Sequence, residues 1–496
     1  MKRSFENIVV GAGPAGTTVA ALLAARGQET LLLESSDRVG GRARTYAGEE
    51  FSSLPDLVAE WEGQGARVLT GGDAELADAV RRGALRGYHF ELGEHGIAGS
   101  HLLRTPYVAA LCGAEVEILP NVGAWWDHED ELYPIVKGER FAWMSDAEFA
   151  DVKTISRAMM RLTDAEVDEL DDTGFLTWMK TVTDAPVATA FHGSMATMNT
   201  GPAHPEDIST GAHLRINRQI LKAGAHITWA GIGFPVPGYG AIPAAFHRAF
   251  EAHGGVTRLN APVERILVRD GRVRGVRAGG EESAAARVIS TLPIPLVPRV
   301  LESNEAMERD IERYRGFRSG AAMTFYVGCS EPVVEDEGAW YTSPRLAPAS
   351  EGYSGDLVSG WIASSNCVAE RAPEGRQLFE SWCGLTTEEA ENPDLVANAM
   401  RRQWEKLTRL HPTLAERAEW KLVTLAPRAY PVPPRPGQVR NSLVDVEPGW
   451  YEGLYVAGDS VKSWGCSIDQ VMHAALLATS AITGEDLLAT LPDSMR

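Results

Sequence analysis

The chain has 496 residues, 44% hydrophobic and 23% charged, the proportions of a globular protein with room for two or three domains. A formal charge of -20 argues against nucleic acid and anionic membrane surfaces as partners, and no apolar run reaches the roughly 18 residues that span a bilayer. Five scattered cysteines without Cys-x-x-Cys spacing argue against a disulfide framework and a zinc site. With no room for a secretory leader before the first strand, a cytoplasmic protein with reduced thiols is the expectation.

The run Ile8-Val-Val-Gly11-Ala-Gly13-Pro14-Ala15-Gly16 predicts a buried strand, a tight turn and a helix reaching about Arg26. Gly11 permits the turn, Gly13 lets the backbone approach a pyrophosphate, and Gly16 lets the helix pack on the sheet. Pro14 suits the first turn, where its missing N–H costs nothing, and Ala15 belongs to the small apolar face. The helix N-terminus offers free N–H groups to an anion. A second apolar strand, Glu29 to Leu33, ends in Glu34, 18 residues after Gly16, placed to accept ribose hydroxyls. Strand, glycine triplet, helix and acid together indicate an adenine-dinucleotide site.

Directly after Glu34 comes Asp37-Arg-Val-Gly40-Gly41-Arg42-Ala-Arg44-Thr45. This resembles the Glu-x-x-x-Arg-x-Gly-Gly-Arg signature of the FAD-dependent amine oxidase and phytoene desaturase-like superfamily. The resemblance implies that Gly40, Gly41 and Arg42 lie along the FAD pyrophosphate and ribityl chain.

A polar segment of about residues 48–87 carries two predicted helices, 54–63 and 74–82, and reads as an insertion: a lid, a dimer contact or decoration. The stretch from Tyr88 to Gly96 matches the family's Asp/Glu-x-Gly turn at Glu91-Leu-Gly93. The resemblance brings His95 near the reactive face, with a loop histidine holding a structural hydrogen bond as the other reading. From about residue 100 to 229 the pattern changes to short strands (115–119, 124–126) and acidic-faced helices (146–171, 174–181). Trp125, Trp126, Trp143, Trp178 and Trp229 here either line a ligand cavity or form core.

Nucleotide-domain rhythm returns at Gly238-Tyr-Gly240, with a helix over 244–253 stopped by Gly254-Gly255. Two alternating runs around Asp270-Gly271 predict a hairpin. In the family this block supplies a parallel strand whose backbone, here at Val263, holds the adenine. Strands are predicted at 288–291, 321–327, 357–363, 377–383 and 419–425, a long helix at 393–410, and an extended return linker at 430–436.

The strand Gly453-Leu-Tyr-Val-Ala-Gly458-Asp459 runs into Ser460, and a helix over 467–482 follows, where Ser467 and Gln470 have capping-box spacing. This block resembles the family's C-terminal FAD motif. There Gly458 and Asp459 would hold the ribityl and pyrophosphate region. The helix start at Ile468 would face the flavin N1–C2 edge, with Trp464 close to the ring.

The implied architecture is α/β: a Rossmann-like FAD-binding domain of the glutathione-reductase type (1–99, 235–292, 435–496, with an insertion at 48–87), interleaved with an α+β substrate domain (100–234, 293–434). The resemblance implies an FAD-dependent oxidoreductase that dehydrogenates or desaturates an apolar or conjugated small molecule by hydride transfer to flavin N5. FAD would be non-covalent, because 427–441 holds no flavin-linking cysteine, and oxygen or a quinone would be the acceptor. No lysine stands on the predicted strand around Met323, where amine oxidases typically carry one, which favours the desaturase side. An amine or amino-acid oxidase, a redox-neutral flavin isomerase and a GDP-dissociation-inhibitor-like non-enzyme stay open. His95 and Trp464 are the candidate catalytic ring neighbours; oligomeric state is undetermined.

Overall fold

Ile8 to Val10 leave no polar face, so this half of the strand Ser4–Val10 is buried between two layers at the centre of a parallel sheet. The computed structural model describes residues 4–93, 95–201, 203–493 and 495. Strand Thr30–Leu33 lies on one side of Ser4–Val10 with Val256–Arg258 beyond it, all parallel. On the other side the long strand Glu281–Ser290 pairs in parallel with Ser4–Val10 and, at its end, with Leu454–Val456. Its first half pairs with the hairpin Val263–Arg269 and Arg272–Ala278, which completes seven strands. Asp270 (φ 52°) and Gly271 (φ 74°) both take the left-handed backbone that the predicted two-residue turn demands.

Helices Pro14–Ala24, Ala241–Ala252 and Ile468–Thr483 cover one face of this sheet in a shared apolar core. The other face packs against helix Glu305–Arg315 and Trp450.

A second sheet of eight strands runs in the order 67–68, 418–430, 320–329, 377–386, 357–363, 340–347, 124–128 and 131–134. All neighbours are antiparallel except 340–347 with 124–128. The long helix Pro393–Leu410 starts where the side chain of Asn392 accepts from the N–H groups of Asp394 and Leu395.

The predicted acidic helix over 146–171 is two helices, Asp146–Arg161 and Asp164–Glu169. Thr163 and Glu166 form a second capping box, as Ser145 and Glu148 form the first, so the chain restarts rather than continues. Beyond them lie Pro186–Thr200, whose small and polar residues gave no clear period, and Thr210–Lys222. The predicted strand at 115–119 is displaced to Ile118–Val122, paired with Trp229–Pro235.

The segment 48–87 is not a polar appendage. Helices Leu54–Gly63 and Ala74–Arg81 bury Leu57, Trp61, Leu76 and Ala79, and Trp61 packs on Tyr46, Phe51 and Phe90. Arg67 and Val68 pair with Leu425 and Thr424 as the short outer strand of the eight-stranded sheet, covering part of the edge of 418–430. Glu60 accepts from Arg44 Nη1 (2.9 Å) and the Tyr46 hydroxyl (2.7 Å), which ties the segment to the arginine-rich turn.

Two outcomes follow for stability. Truncating Trp61 to alanine leaves a void among aromatics and should cost about 3–5 kcal/mol, read as a lowered thermal midpoint. Burial pushes His192 and His411 down to about 4, and His213 and His473 down to about 3. The unfolded chain takes up these protons near pH 6.5 and the folded chain does not, so stability must fall as pH drops below 6.5 towards 4. Each histidine contributes on the order of 1 kcal/mol per pH unit. A stability that is flat from pH 6.5 to 4.5 in denaturant titrations would contradict this.

Candidate functional site

Two glycine turns meet at the end of the parallel sheet. A Cβ on Gly16 would come within 1.8 Å of the Gly11 carbonyl oxygen, so only glycine admits this contact between helix and strand end. Gly13 precedes helix Pro14–Ala24 without a side-chain cap, and a Cβ there would meet nothing nearer than Gly41 Cα at 3.9 Å. That side is open, and the first N–H groups of the helix face it. Ala15 is buried behind them. Gly40 (φ 131°) donates its N–H to the Ala12 carbonyl (2.9 Å), which locks the arginine-rich turn against the first glycine turn.

Glu34 is buried at the end of its strand. Its Oε2 accepts from the Ala12 N–H (2.7 Å), and its Oε1 from the Ser36 N–H (2.9 Å) and the hydroxyls of Ser35 and Ser36. Burial raises its affinity for a proton, yet these donors outweigh that and hold the carboxyl below its ordinary range. The carboxylate thus braces the turn, with most of its remaining acceptor capacity on Oε2. Val263 opens an antiparallel edge strand rather than the expected parallel one, which is Val256–Arg258. The loop between them reaches Glu34: Ala261 N–H donates to the Glu34 carbonyl and Asn260 N–H to that of Ser36, each at 2.8 Å.

From the other end of the chain, Gly458 (φ 139°) leaves open space on its Cβ side. Asp459 meets Arg42 in an ion pair of 2.6 Å, so the first and last motifs close on one another. The expected capping box at Ser467 and Gln470 is absent. Ser467 takes a left-handed backbone (φ 54°), and its hydroxyl lies 3.0 Å from the Tyr239 hydroxyl instead; Gln470 Nε2 donates to the Asp459 carbonyl at 3.2 Å. With no side chain capping it, the helix beginning at Ile468 presents its own N–H groups at this end.

Trp464 packs under the Arg104 guanidinium (4.1 Å) and beside His473. Arg104 is fully buried and ion-paired to Asp469, and its Nε donates to the Met495 carbonyl at 2.8 Å. A cleft beside Trp464 is lined by Ile216, Val432, Pro434, Leu443 and Gln470.

His95 is 7% exposed. Its Nδ1 lies 3.3 Å from Glu380 Oε1, and its ring stacks on Trp382 at 5.2 Å. Glu380 Oε2 accepts from Arg371 Nη1 (3.1 Å), and Arg371 Nη2 donates to Glu91 Oε1 (2.9 Å). Glu91 also accepts from the Tyr239 N–H (3.0 Å) and the Thr45 hydroxyl (2.9 Å). A Cβ on Gly238 would lie 2.4 Å from that hydroxyl and 2.5 Å from Glu91 Oε1, so glycine is required there. Burial pushes Glu91 up, opposed by Arg371. Glu380 is as deeply buried, but the facing His95 and the Arg371 guanidinium hold it down.

The structure therefore gathers Gly11, Gly13, Pro14, Gly16, Gly40, Gly41, Arg42, Gly458, Asp459 and Ile468 around the meeting ends of the first and last motifs. His95 lies on the flank formed by the eight-stranded sheet, and Val263 stands outside that group. Trp126 and Trp178 are core and Trp229 is 45% exposed. The aromatics beside His95 are Trp382 and Tyr326; Trp340 lies 4.6 Å beyond Trp382, in a cluster with Met198, Ile232 and Phe234. No motif singled them out. The strand 377–386 is the one signal for Trp382, and it marks an element without saying what its faces meet.

A family model described as "Flavin containing amine oxidoreductase" matches residues 14–483, from the first residue of the first helix to the last residue of helix Ile468–Thr483. A hydroxyneurosporene desaturase of Rubrivivax gelatinosus is 26% identical over 313 residues, which is 58% of this chain and 53% of that protein. The chain thus aligns with about half the length of that relative. Among solved structures, an oxidoreductase from Methanosarcina mazei superposes with a TM-score of 0.68 at 17% identity, covering 97% of this chain and 100% of the other. A putrescine oxidase bound to putrescine superposes at 0.63 with 13% identity, covering 98% and 100%. Both likenesses show a common fold of mixed parallel and antiparallel sheets. A single family match that reaches from the first helix to the last, across the whole eight-stranded sheet and the C-terminal glycine motif, settles the assignment: the chain belongs to the flavin containing amine oxidoreductase family.

Proposed function

We propose that this protein is an FAD-dependent dehydrogenase or desaturase of an apolar or conjugated small molecule. The residues present fit the cofactor: the Cβ side of Gly13 is open, the first helix is uncapped there, and Gly458 leaves a second opening beside the Arg42–Asp459 pair. The pyrophosphate would lie on the N–H groups of Gly13 and Ala15 with Gly40, Gly41 and Arg42 alongside. Glu34 Oε2 would take a ribose hydroxyl, Val263 the adenine edge, and Asp459 and Ile468 the ribityl and ring end. When bound, the flavin supplies the two-electron oxidising chemistry.

One observation carries the substrate reading. His95 stacks on Trp382, which packs in turn against Trp340 within an apolar cluster that includes Met198, Ile232 and Phe234, and the two nearby carboxylates are already committed to Arg371 and His95. A cationic amine buried there would lack a free counter-charge, which is costly, whereas an apolar chain or polyene would not. The strand Gly320–Cys329 carries no lysine; the nearby Lys421, paired across from Val327, lies over the Trp404 ring.

The chain's own residues then divide the work. The aromatic cluster orients a C–H bond and excludes water. His95 is the titratable side chain placed to take a proton from the substrate, and the uncapped helix at Ile468 favours negative charge at the ring end. Oxygen or a quinone is the proposed final acceptor.

Anaerobic mixing of the purified protein with polyenes and with amines tests this reading. Polyenes should bleach the flavin absorbance with a primary deuterium isotope effect; bleaching by amines alone would replace it with an amine oxidase. Glu34→Gln should weaken FAD binding by about 1.5–3 kcal/mol, the scale for a hydrogen bond to a charged acceptor, and Gly13→Val should abolish it. Equilibrium dialysis against FAD reads both. Acid precipitation should leave a colourless pellet and a yellow supernatant, since residues 427–441 hold no cysteine to link the ring.

A further inference from the structure

The buried groups behind His95 carry an inference that rests on the proposed reading of His95 as facing the substrate. The imidazole is clamped: Trp382 stacks on it with an interplanar angle of 20°, and the Tyr326 ring lies 5.6 Å away. Nδ1 faces Glu380 Oε1, whereas Nε2 is buried with no hydrogen-bond partner. Buried polar atoms nearly always find partners, so an imidazole with one nitrogen held by a carboxylate and the other bare is a group kept ready for a ligand.

Glu380 is held as firmly as His95. It has no exposed surface, and its second oxygen accepts from Arg371, which is fully buried as well. Arg371 continues to Glu91, and the Tyr326 hydroxyl donates to the Glu91 carbonyl, so Tyr326 both flanks His95 and anchors the far end of the chain of groups.

We propose that Glu380 is a positioning residue: it keeps the His95 proton on Nδ1 and so presents the Nε2 lone pair to the substrate, with Arg371 and Glu91 fixing Glu380 in that orientation. In the proton transfer this prepares, the proton leaving the substrate carbon ends on Nε2, and the electron pair of that C–H bond stays on the substrate. A carboxylate accepts from Nδ1–H and cannot donate when ionised, so the tautomer with the proton on Nε2 would set a lone pair against Glu380. Glu91, Arg371 and Glu380 are all closed off, so the proton taken up at Nε2 returns to solvent from the substrate side after product leaves and not through these groups.

The test is a side-chain spectrum of flavin-loaded protein labelled with 15N-histidine at neutral pH, with His95 assigned by its loss in His95→Asn. Nδ1 should carry the proton and Nε2 should show the shift of a bare nitrogen. In Glu380→Gln this preference should disappear, and turnover of an active substrate should fall about 10²-fold or more while KM stays within a few-fold. Glu380→Asp should keep the tautomer and recover part of the rate. An Nε2–H or doubly protonated ring in the wild type overturns the proposal, as does an unchanged tautomer in Glu380→Gln. Should the Glu380 variants not fold, the wild-type spectrum, assigned through His95→Asn, decides. The expected tautomer in a protein whose flavin no apolar substrate reduces would refute the functional reading and leave the positioning role standing.

Discussion

The burial of Arg371 is the constraint on which the rest depends. A guanidinium with no exposed surface must be neutralised, and removing one partner of such a group costs about 3–5 kcal/mol. Its partners come from separate parts of the chain: Glu91 from the short strand paired with Thr45–Ala47, and Glu380 from the middle of the eight-stranded sheet. Through Tyr239, Glu91 reaches Ser467 at the start of the last helix. The ionic core therefore sets where the larger sheet stands relative to both glycine motifs, and His95 is placed as a consequence.

Around that knot the two halves of the site follow different physics. The end where the two glycine motifs meet is built from backbone: the Cβ sides of Gly13 and Gly458 are open, and such a surface suits an anion that takes N–H groups. The flank at His95 is built from side chains, with the imidazole stacked on Trp382 and Trp382 in turn packed against Trp340. The segment 48–87 serves the first half indirectly: Glu60 holds Arg44 and Tyr46, and Arg67–Val68 cover part of the sheet edge.

Local signals were legible where a residue's own backbone demand decided the structure. The hairpin at Asp270-Gly271, the helix starting at Pro14 and the helix Pro393–Leu410 each follow from short-range chemistry that no partner overrides. Ser467 shows the limit. Its capping-box spacing was sound, but a left-handed backbone and a hydrogen bond to Tyr239, 228 residues away, took the hydroxyl elsewhere. The helix Pro186–Thr200 was hidden for a related reason: it buries His192, Ser194 and Thr197 alongside apolar residues, which blurs the period.

By itself the sequence determined the elements around the cofactor end, since the glycines at 11, 13, 16, 40, 41 and 458 and the acids at 34 and 459 act through fixed spacing along short segments. Only the tertiary structure decided what His95 faces. Its partners, Glu380 and Trp382, lie some 285 residues further along the chain and lack any motif, and their approach is dictated by the need to neutralise Arg371 in the interior. Charge burial is a property of the folded whole, and no local pattern announces it.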